Sequence, residues 1–159
     1  MGDFKHMASN LLQNVYLFKE LTPQELEQVN GIATLESKLP GDEIFSEGDS
    51  AHSLYVIKHG SVKIQHTGVD NQIHVATLGT GSHFGEMAFV DGEKRSATVT
   101  TIERADIVRL EFDGLKKLLE KNPPIAVKVY KALAHFLCGR LRVTTNDLTF
   151  AREKNMHHF

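Results

Sequence analysis

A chain of 159 residues has room for one domain and a helical extension, and it can build a core without disulfide or metal staples. Its 18 Lys and Arg against 20 Asp and Glu leave a formal charge of −2, which excludes a basic protein that coats nucleic acid. With 41% hydrophobic and 24% charged residues, wholesale disorder is excluded as well. The single Cys138 cannot form an internal disulfide, so a reducing compartment, the cytoplasm, is the expected location. No run reaches the roughly 18 uncharged apolar residues that a membrane span needs. The greasiest stretch, Ile125 to Leu141, is interrupted by Lys128, Lys131 and Arg140. No signal peptide opens the chain, because Asp3, Lys5 and His6 sit where its apolar core would be.

Residues 1–10 read as a tag remnant and flexible N-terminus, with His6-Met7 resembling a cloning site, and residues 11–159 read as one domain. After a short apolar pattern (Leu11, Leu12, Val15, Leu17, Phe18) comes Leu21-Thr22-Pro23-Gln24-Glu25-Leu26. Thr22 fits an N-cap, Pro23 the first helical position and Glu25 the return arm of a capping box, while Leu21 and Leu26 can staple the start. Leu26, Val29 and Ile32 then recur at helical spacing, and Gly31 weakens the helix end.

From about residue 33 to 112 the texture changes. Short β-prone runs are expected at Glu43–Phe45, Leu54–Ile57, Val62–Gln65, His74–Leu78, Ala97–Thr100 and Ile107–Leu110. Glycine-bearing turns separate them, and positive φ is expected at Gly41, Gly48, Gly60 and Gly68. Strands at roughly ten-residue spacing predict an antiparallel, jelly-roll-like β-roll, giving a mainly β fold with flanking helices, formally α+β.

Helices return over about 113–154. Asp113 is the expected cap of the first, with Leu115, Leu118 and Leu119 on one face, and Pro123-Pro124 ends it and starts the next. In the long helix that follows, Tyr130, Ala134, Leu137, Leu141, Thr144, Leu148 and Ala151 alternate at spacings of four and three. That is a heptad seam with a polar residue at its middle. One helix lying on the roll is the plainer alternative and suits the N-terminal half. The distal half outruns a small roll, so a homodimer through this helix is expected.

The chemistry-bearing segment runs from Gly81 to Val99. A strand ends at Phe84, and Gly85 lets the backbone turn and approach a ligand closely. One helical turn can begin at Glu86, and its first N–H groups have no internal acceptor. Arg95 offers a rigid guanidinium fork to phosphate oxygens, and Ser96 and Ala97 add amides, Ser96 also a hydroxyl. Ionised Glu86 only accepts, so it suits a sugar hydroxyl and repels a phosphate. Alone, an Arg and a Glu nine apart usually form a surface ion pair worth about 0–1 kcal/mol. Together, these groups describe a pocket for something bearing both phosphate and ribose.

Phe84-Gly85-Glu86-Met87-Ala88 with Arg95-Ser96-Ala97-Thr98-Val99 resembles the phosphate-binding cassette of the cyclic nucleotide-binding domains, of catabolite-activator and kinase-regulatory-subunit type. Gly41-Asp42-Glu43-Ile44, Gly48-Asp49, Leu54-Tyr55-Val56-Ile57 and Gly60-Ser61-Val62 resemble that family's roll-forming segments. The resemblance implies that Arg95 holds the exocyclic phosphate oxygens, that Glu86 accepts the ribose 2′-hydroxyl, and that the amides of Ala88 and Ser96 complete the phosphate cage. Lys94 departs from the proline that many members carry before the arginine, which leaves the loop less stiff and removes no ligand contact.

Arg140 to Thr145 resembles the part of the long helix where a Thr-Ser pair meets the purine in catabolite activators. By that likeness Thr144 contacts the base in its own subunit and Thr145 the base in a partner subunit. The other reading of Thr144 is that it only sets register in the coiled coil. An adenine amino group suits a hydroxyl, so cAMP is the expected ligand. Because Ser96 can also serve a guanine, cGMP stays open, as does a cyclic dinucleotide. No helix-turn-helix follows Phe150, so the chain reads as a stand-alone sensor or as a piece whose effector domain lies elsewhere, with no nucleic acid bound by this chain alone and no membrane.

No enzyme is expected. The nine histidines are scattered without a carboxylate-paired arrangement, so no metal site is expected and most read as solvated. No Gly-Lys-Ser/Thr follows a glycine-rich loop. Cys138, among Phe136, Leu137 and Leu141, reads as a buried inert thiol. The alternative from another class is a dimerisation scaffold of the same fold that binds no ligand.

Overall fold

Thr22 starts the first helix as its side chain dictates. In the computed structural model, which describes Leu12 and residues 14–156 (side chains through Asn146), Thr22 Oγ1 accepts from the Glu25 amide at 3.2 Å. Glu25 Oε1 accepts from the Thr22 amide at 2.9 Å, which completes the capping box of α1 (Pro23–Asn30). A 3₁₀ turn, Tyr16–Phe18, precedes it and buries Leu17 and Phe18. The expected remnant at residues 1–10, and the side chains of Leu148 and Ala151, lie outside the described residues.

Eight strands follow: β1 (Ala33–Lys38), β2 (Glu43–Phe45), β3 (Ser53–His59), β4 (Val62–Thr67), β5 (Ile73–Leu78), β6 (His83–Phe84), β7 (Thr98–Thr101) and β8 (Ala105–Glu111). All pairings are antiparallel, in two four-stranded sheets ordered β1-β8-β3-β6 and β2-β7-β4-β5. This is the expected roll. β1 is not among the β-prone runs expected from sequence, and β6 is expected only as a strand ending at Phe84. β1 is made by its register with β8, from Ala33 opposite Leu110 to Lys38 opposite Ala105. β6 is only two residues long.

Period-two alternation builds two cores. On β3 and β8, Leu54, Val56, Val108 and Leu110 face the helices, while Ile57, Ala105 and Ile107 face the roll interior. Both strands are covered on both sides, which is why β3 reads as a nearly unbroken apolar run. β5, at a sheet edge, is exposed along almost its whole length.

Gly41, Gly48 and Gly60 adopt positive φ as expected, but Gly68 does not; Asn71 takes the left-handed position instead, at φ 60°. An asparagine tolerates that conformation in a turn. What Gly68 supplies is space, since a Cβ there would lie 2.7 Å from Asp70 Oδ1.

Two more helices flank the roll. α2 (Met87–Asp91) is the short turn after β6, and α3 (Phe112–Lys121) follows β8 directly. Asp113 is not the cap of α3. Extended Glu111 holds that position without a side-chain bond, because β8 runs straight into the helix and the Phe112 amide bonds the His52 carbonyl at 2.8 Å. Asn122 separates α3 from α4 (Pro123–Met156), a continuous helix of 34 residues. At 1.5 Å per residue it is about 50 Å long. Ile125, Val129, Ala132 and Leu133 bury one face of its first half. Among the described residues no helix is long and apolar enough to cross a membrane.

Candidate functional site

Arg95 is the centre of the site and is only 6% exposed. Its backbone is fixed from both sides: the Arg95 amide bonds the Asp49 carbonyl and the Gly48 amide bonds the Arg95 carbonyl, each at 2.8 Å. Its guanidinium donates from Nη1 to the Gly85 carbonyl at 3.1 Å and from Nη2 to the Ser53 carbonyl. The group lies 3.9 Å from the Phe45 ring centroid, a cation–π distance. Nε has no hydrogen-bond partner. Among the described residues no carboxylate stands within ion-pair distance of it, so the Arg95–Glu86 surface pair that a bland reading allows does not form. Burial pushes Arg95 below the ordinary guanidinium range, while the fields of Tyr55, Asp49 and Glu86 oppose that shift. A buried cation whose hydrogen-bond partners are neutral carbonyls is suited to pairing with an anion.

Gly85 makes the close approach possible. Its φ is +83°, and a Cβ there would sit 2.8 Å from Arg95 Nη1. The turn carries the chain from β6 into α2, where the first amides have no intrahelical acceptor. Glu86, at the N-cap position, is 2% exposed, and its Oε2 lies 3.5 Å from Nδ1 of buried His83. Phe84 faces the roll interior and stacks on Tyr55 with ring centroids 5.2 Å apart.

Phe84, Gly85, Glu86, Met87, Ala88, Arg95, Ser96 and Ala97, all expected from sequence, line one cleft of about 160 Å³. Phe45, Ile64 and Val99 give it an apolar wall, and Asp91, Glu93 and Lys94 form part of its rim. One cationic fork, one carboxylate, free amides and an apolar wall can together hold an anion bearing a sugar and a flat base.

Thr144 and Thr145 are not brought to this cleft. They are exposed on α4, and their hydroxyls bond back to the carbonyls of Arg140 at 3.1 Å and Leu141 at 2.8 Å. Thr144 lines a separate groove with Tyr16, Phe136 and Val143. From α4 it is Arg140 that reaches the cleft. Helical spacing is the signal for Arg140, which sits one turn before Thr144 and so on the same face. His83 was also missed. Five histidines (His52, His59, His66, His74 and His135) are exposed as expected, but His83 is buried. Strand alternation was the signal that could have found it, since its neighbour Phe84 points the other way.

Cys138 is exposed rather than buried. α4 has already left the roll there, so apolar neighbours in sequence do not cover it. Along the predicted seam, Tyr130, Ala134, Leu141 and Thr144 are exposed and Leu137 is partly covered. Among the described residues no three His, Cys, Asp or Glu side chains gather as a metal-binding group.

A family model described as cyclic nucleotide-binding domain matches residues 35–122. The chain is 31% identical over 133 residues to the cyclic AMP receptor protein of Thermus thermophilus, covering 83% of this chain and 60% of that one. It is similar in structure to the Thermus thermophilus catabolite activator protein, with a TM-score of 0.76 and 29% identity over 85% of this chain and 62% of that one. It shares its fold, at a TM-score of 0.73 and 21% identity, with the regulatory subunit of a cAMP-independent protein kinase A from Trypanosoma brucei, covering 84% of this chain and 47% of that one. The chain thus spans less than two thirds of the length of each of these relatives.

Proposed function

Because the chain belongs to the cyclic nucleotide-binding domain family, a regulatory rather than a catalytic family, we propose that residues 11–159 form a sensor that binds cAMP and relays its occupancy through α4. The observation that carries this reading is buried Arg95, a cation with carbonyl partners only, facing the same cleft as Glu86. Arg95 takes the exocyclic phosphate oxygens, and the amides of Ala88, Ser96 and Ala97 join it. Glu86 accepts the ribose 2′-hydroxyl beside the turn that Phe84, Gly85 and Met87 build. The base extends toward α4, where Thr144 serves its own subunit and Thr145 that of a second copy docked along the exposed seam. Adenine suits these hydroxyls, while the Ser96 hydroxyl gives cGMP a foothold. The ligand is a messenger of the cytoplasm, which fits a lone unpaired thiol there.

The mechanism is a population shift. Ligand neutralises Arg95 and orders α2, and it biases α4 only as far as it binds one helix arrangement more tightly than the other. The exposed apolar side chains of Tyr130, Leu141 and Val143 on α4 favour a second reading, a dimerisation scaffold without a ligand. Thermal unfolding with and without nucleotide separates the two. Ligand at about 100 times its dissociation constant adds about 2.7 kcal/mol of stability. A rise in melting temperature with cAMP that exceeds the rise with cGMP is expected, and no rise with either overturns the sensor reading in favour of the scaffold.

A further inference from the structure

The side chain least explained by packing is His83. Its side chain is 4% exposed, and neither Nδ1 nor Nε2 has a hydrogen-bond partner. A buried imidazole with two unpartnered nitrogens is a poor filler where phenylalanine or leucine would cost nothing in desolvation. Its surroundings give it a role. In β6, alternation sends Phe84 into the roll interior and His83 to the opposite side. There the imidazole meets two groups: Glu86 Oε2 lies 3.5 Å from Nδ1, and the Phe136 ring of α4 lies 4.5 Å away between centroids. Phe136 in turn contacts Tyr16, at 5.9 Å, and carries the Arg140 guanidinium at 5.8 Å from its centroid. A contact chain therefore leaves the cleft at Glu86, passes behind it through His83 and Phe136, and returns to the cleft at Arg140.

We propose that His83 is a positioning residue, which holds the Glu86 carboxylate for the ligand's sugar hydroxyl and couples that carboxylate to α4 through Phe136. The inference rests on the sensor reading, in which Glu86 grips the ribose. The 3.5 Å contact is a few tenths of an ångström longer than a good N–H···O bond. A hydroxyl donated to Glu86 from the cleft side draws the carboxylate into alignment, His83 closes onto its other oxygen, and the imidazole's movement is felt by the ring that packs on it.

Calorimetric titration with cAMP and with 2′-deoxy-cAMP tests this in wild type, His83→Phe and His83→Asn, with thermal unfolding confirming that each is folded. In wild type, loss of the 2′-hydroxyl costs about tenfold or more in affinity, as expected for a hydrogen bond to a charged group. In His83→Phe cAMP binding weakens, 2′-deoxy-cAMP binding does not, and the ratio between them falls toward one. His83→Asn, whose amide nitrogen stands near the Nδ1 position, restores most of the ratio. Amide exchange around Phe136 changes on adding cAMP to wild type and does not change in His83→Phe. A wild-type ratio retained in folded His83→Phe overturns the inference while leaving the sensor reading intact. A wild type that binds both nucleotides equally overturns the ribose assignment of Glu86, and this inference with it.

Discussion

The two halves of α4 are made of similar residues and live under different rules. In the first half Ile125, Val129, Ala132 and Leu133 are 2 or 3% exposed, and Ile125, Val129 and Leu133 share one core with α1, α3 and the outer face of β3 and β8. From Cys138 to Asn146 every described side chain is exposed, including Leu141 at 67% and Val143 at 61%. A helix in water gains little from propensity alone, and most of its stability in proteins comes from burying an apolar face. The first half has that face covered by its own roll. The second half needs a cover from elsewhere, and the second copy proposed along Tyr130, Leu141 and Thr144 would provide it. The difference matters for signalling, because Phe136 and Arg140, where the helix leaves the roll, are the parts of α4 that touch His83 and the cleft.

Truncation separates the halves most strongly. Leu133→Ala opens a cavity in a closed core and is expected to cost about 2–5 kcal/mol in urea unfolding. Leu141→Ala, at protein concentrations too low for association, is expected to change stability by less than about 0.5 kcal/mol. In sedimentation at higher concentration Leu141→Ala shifts the population toward monomer. Equal losses of stability for the two variants would break the contrast.

A smaller effect is expected at Gly85, on the roll side of the cleft. Gly85→Ala forces a left-handed residue to carry a side chain, at about 1–2 kcal/mol. It also drives a methyl group against Arg95 Nη1, whose guanidinium is pinned by the Gly85 and Ser53 carbonyls. Both stability and cAMP affinity fall; a variant with full affinity would show that the pinned arrangement is not used. Arg140→Ala, on the exposed half of the helix, is expected to weaken cAMP binding by only about 0.2–1 kcal/mol, as for a solvent-screened charge. Most of that loss disappears in high salt.

The smallest effect lies where α1 meets the docked half. Lys128 Nζ bonds Glu25 Oε1 at 2.6 Å, and this bond, with the Thr22 amide second, holds the Glu25 carboxyl below its ordinary value. A carboxylate whose folded value is lowered contributes stability that is present above the ordinary value and lost as pH falls through the lowered one. Lys128 is 34% exposed, so solvent screening limits the pair to about 1 kcal/mol or less. Lys128→Met should therefore reduce stability near neutral pH and flatten its decline below the ordinary glutamate range. An unchanged acid profile in that variant would remove the pair from the account.

What could be read from sequence follows the same division between local and distant causes. The capping box of Thr22 and Glu25, the turn at Gly85 and the grouping of Phe84 to Ala88 with Arg95 to Ala97 are written within short segments, and they stand where expected. β1 was not legible, because Ala-Thr-Leu-Glu-Ser-Lys is a strand only through β8 beside it. Asp113 failed as a cap because β8 leaves it no room, and Cys138 failed as a buried thiol because the roll ends before it. The placement of Thr144 depends on where a 34-residue helix lies over a cleft, which no local pattern states. His83 and Arg140 join the site only by packing across elements.

The central claim is that Arg95 waits in the cleft for the phosphate of a cyclic nucleotide. Calorimetric titration of wild type and Arg95→Ala with cAMP tests it most directly. The account predicts saturable one-site binding to wild type and a loss of about 2–5 kcal/mol in the variant, as when one partner of a buried charge pair is removed. Equal affinity of the two proteins for cAMP would contradict it.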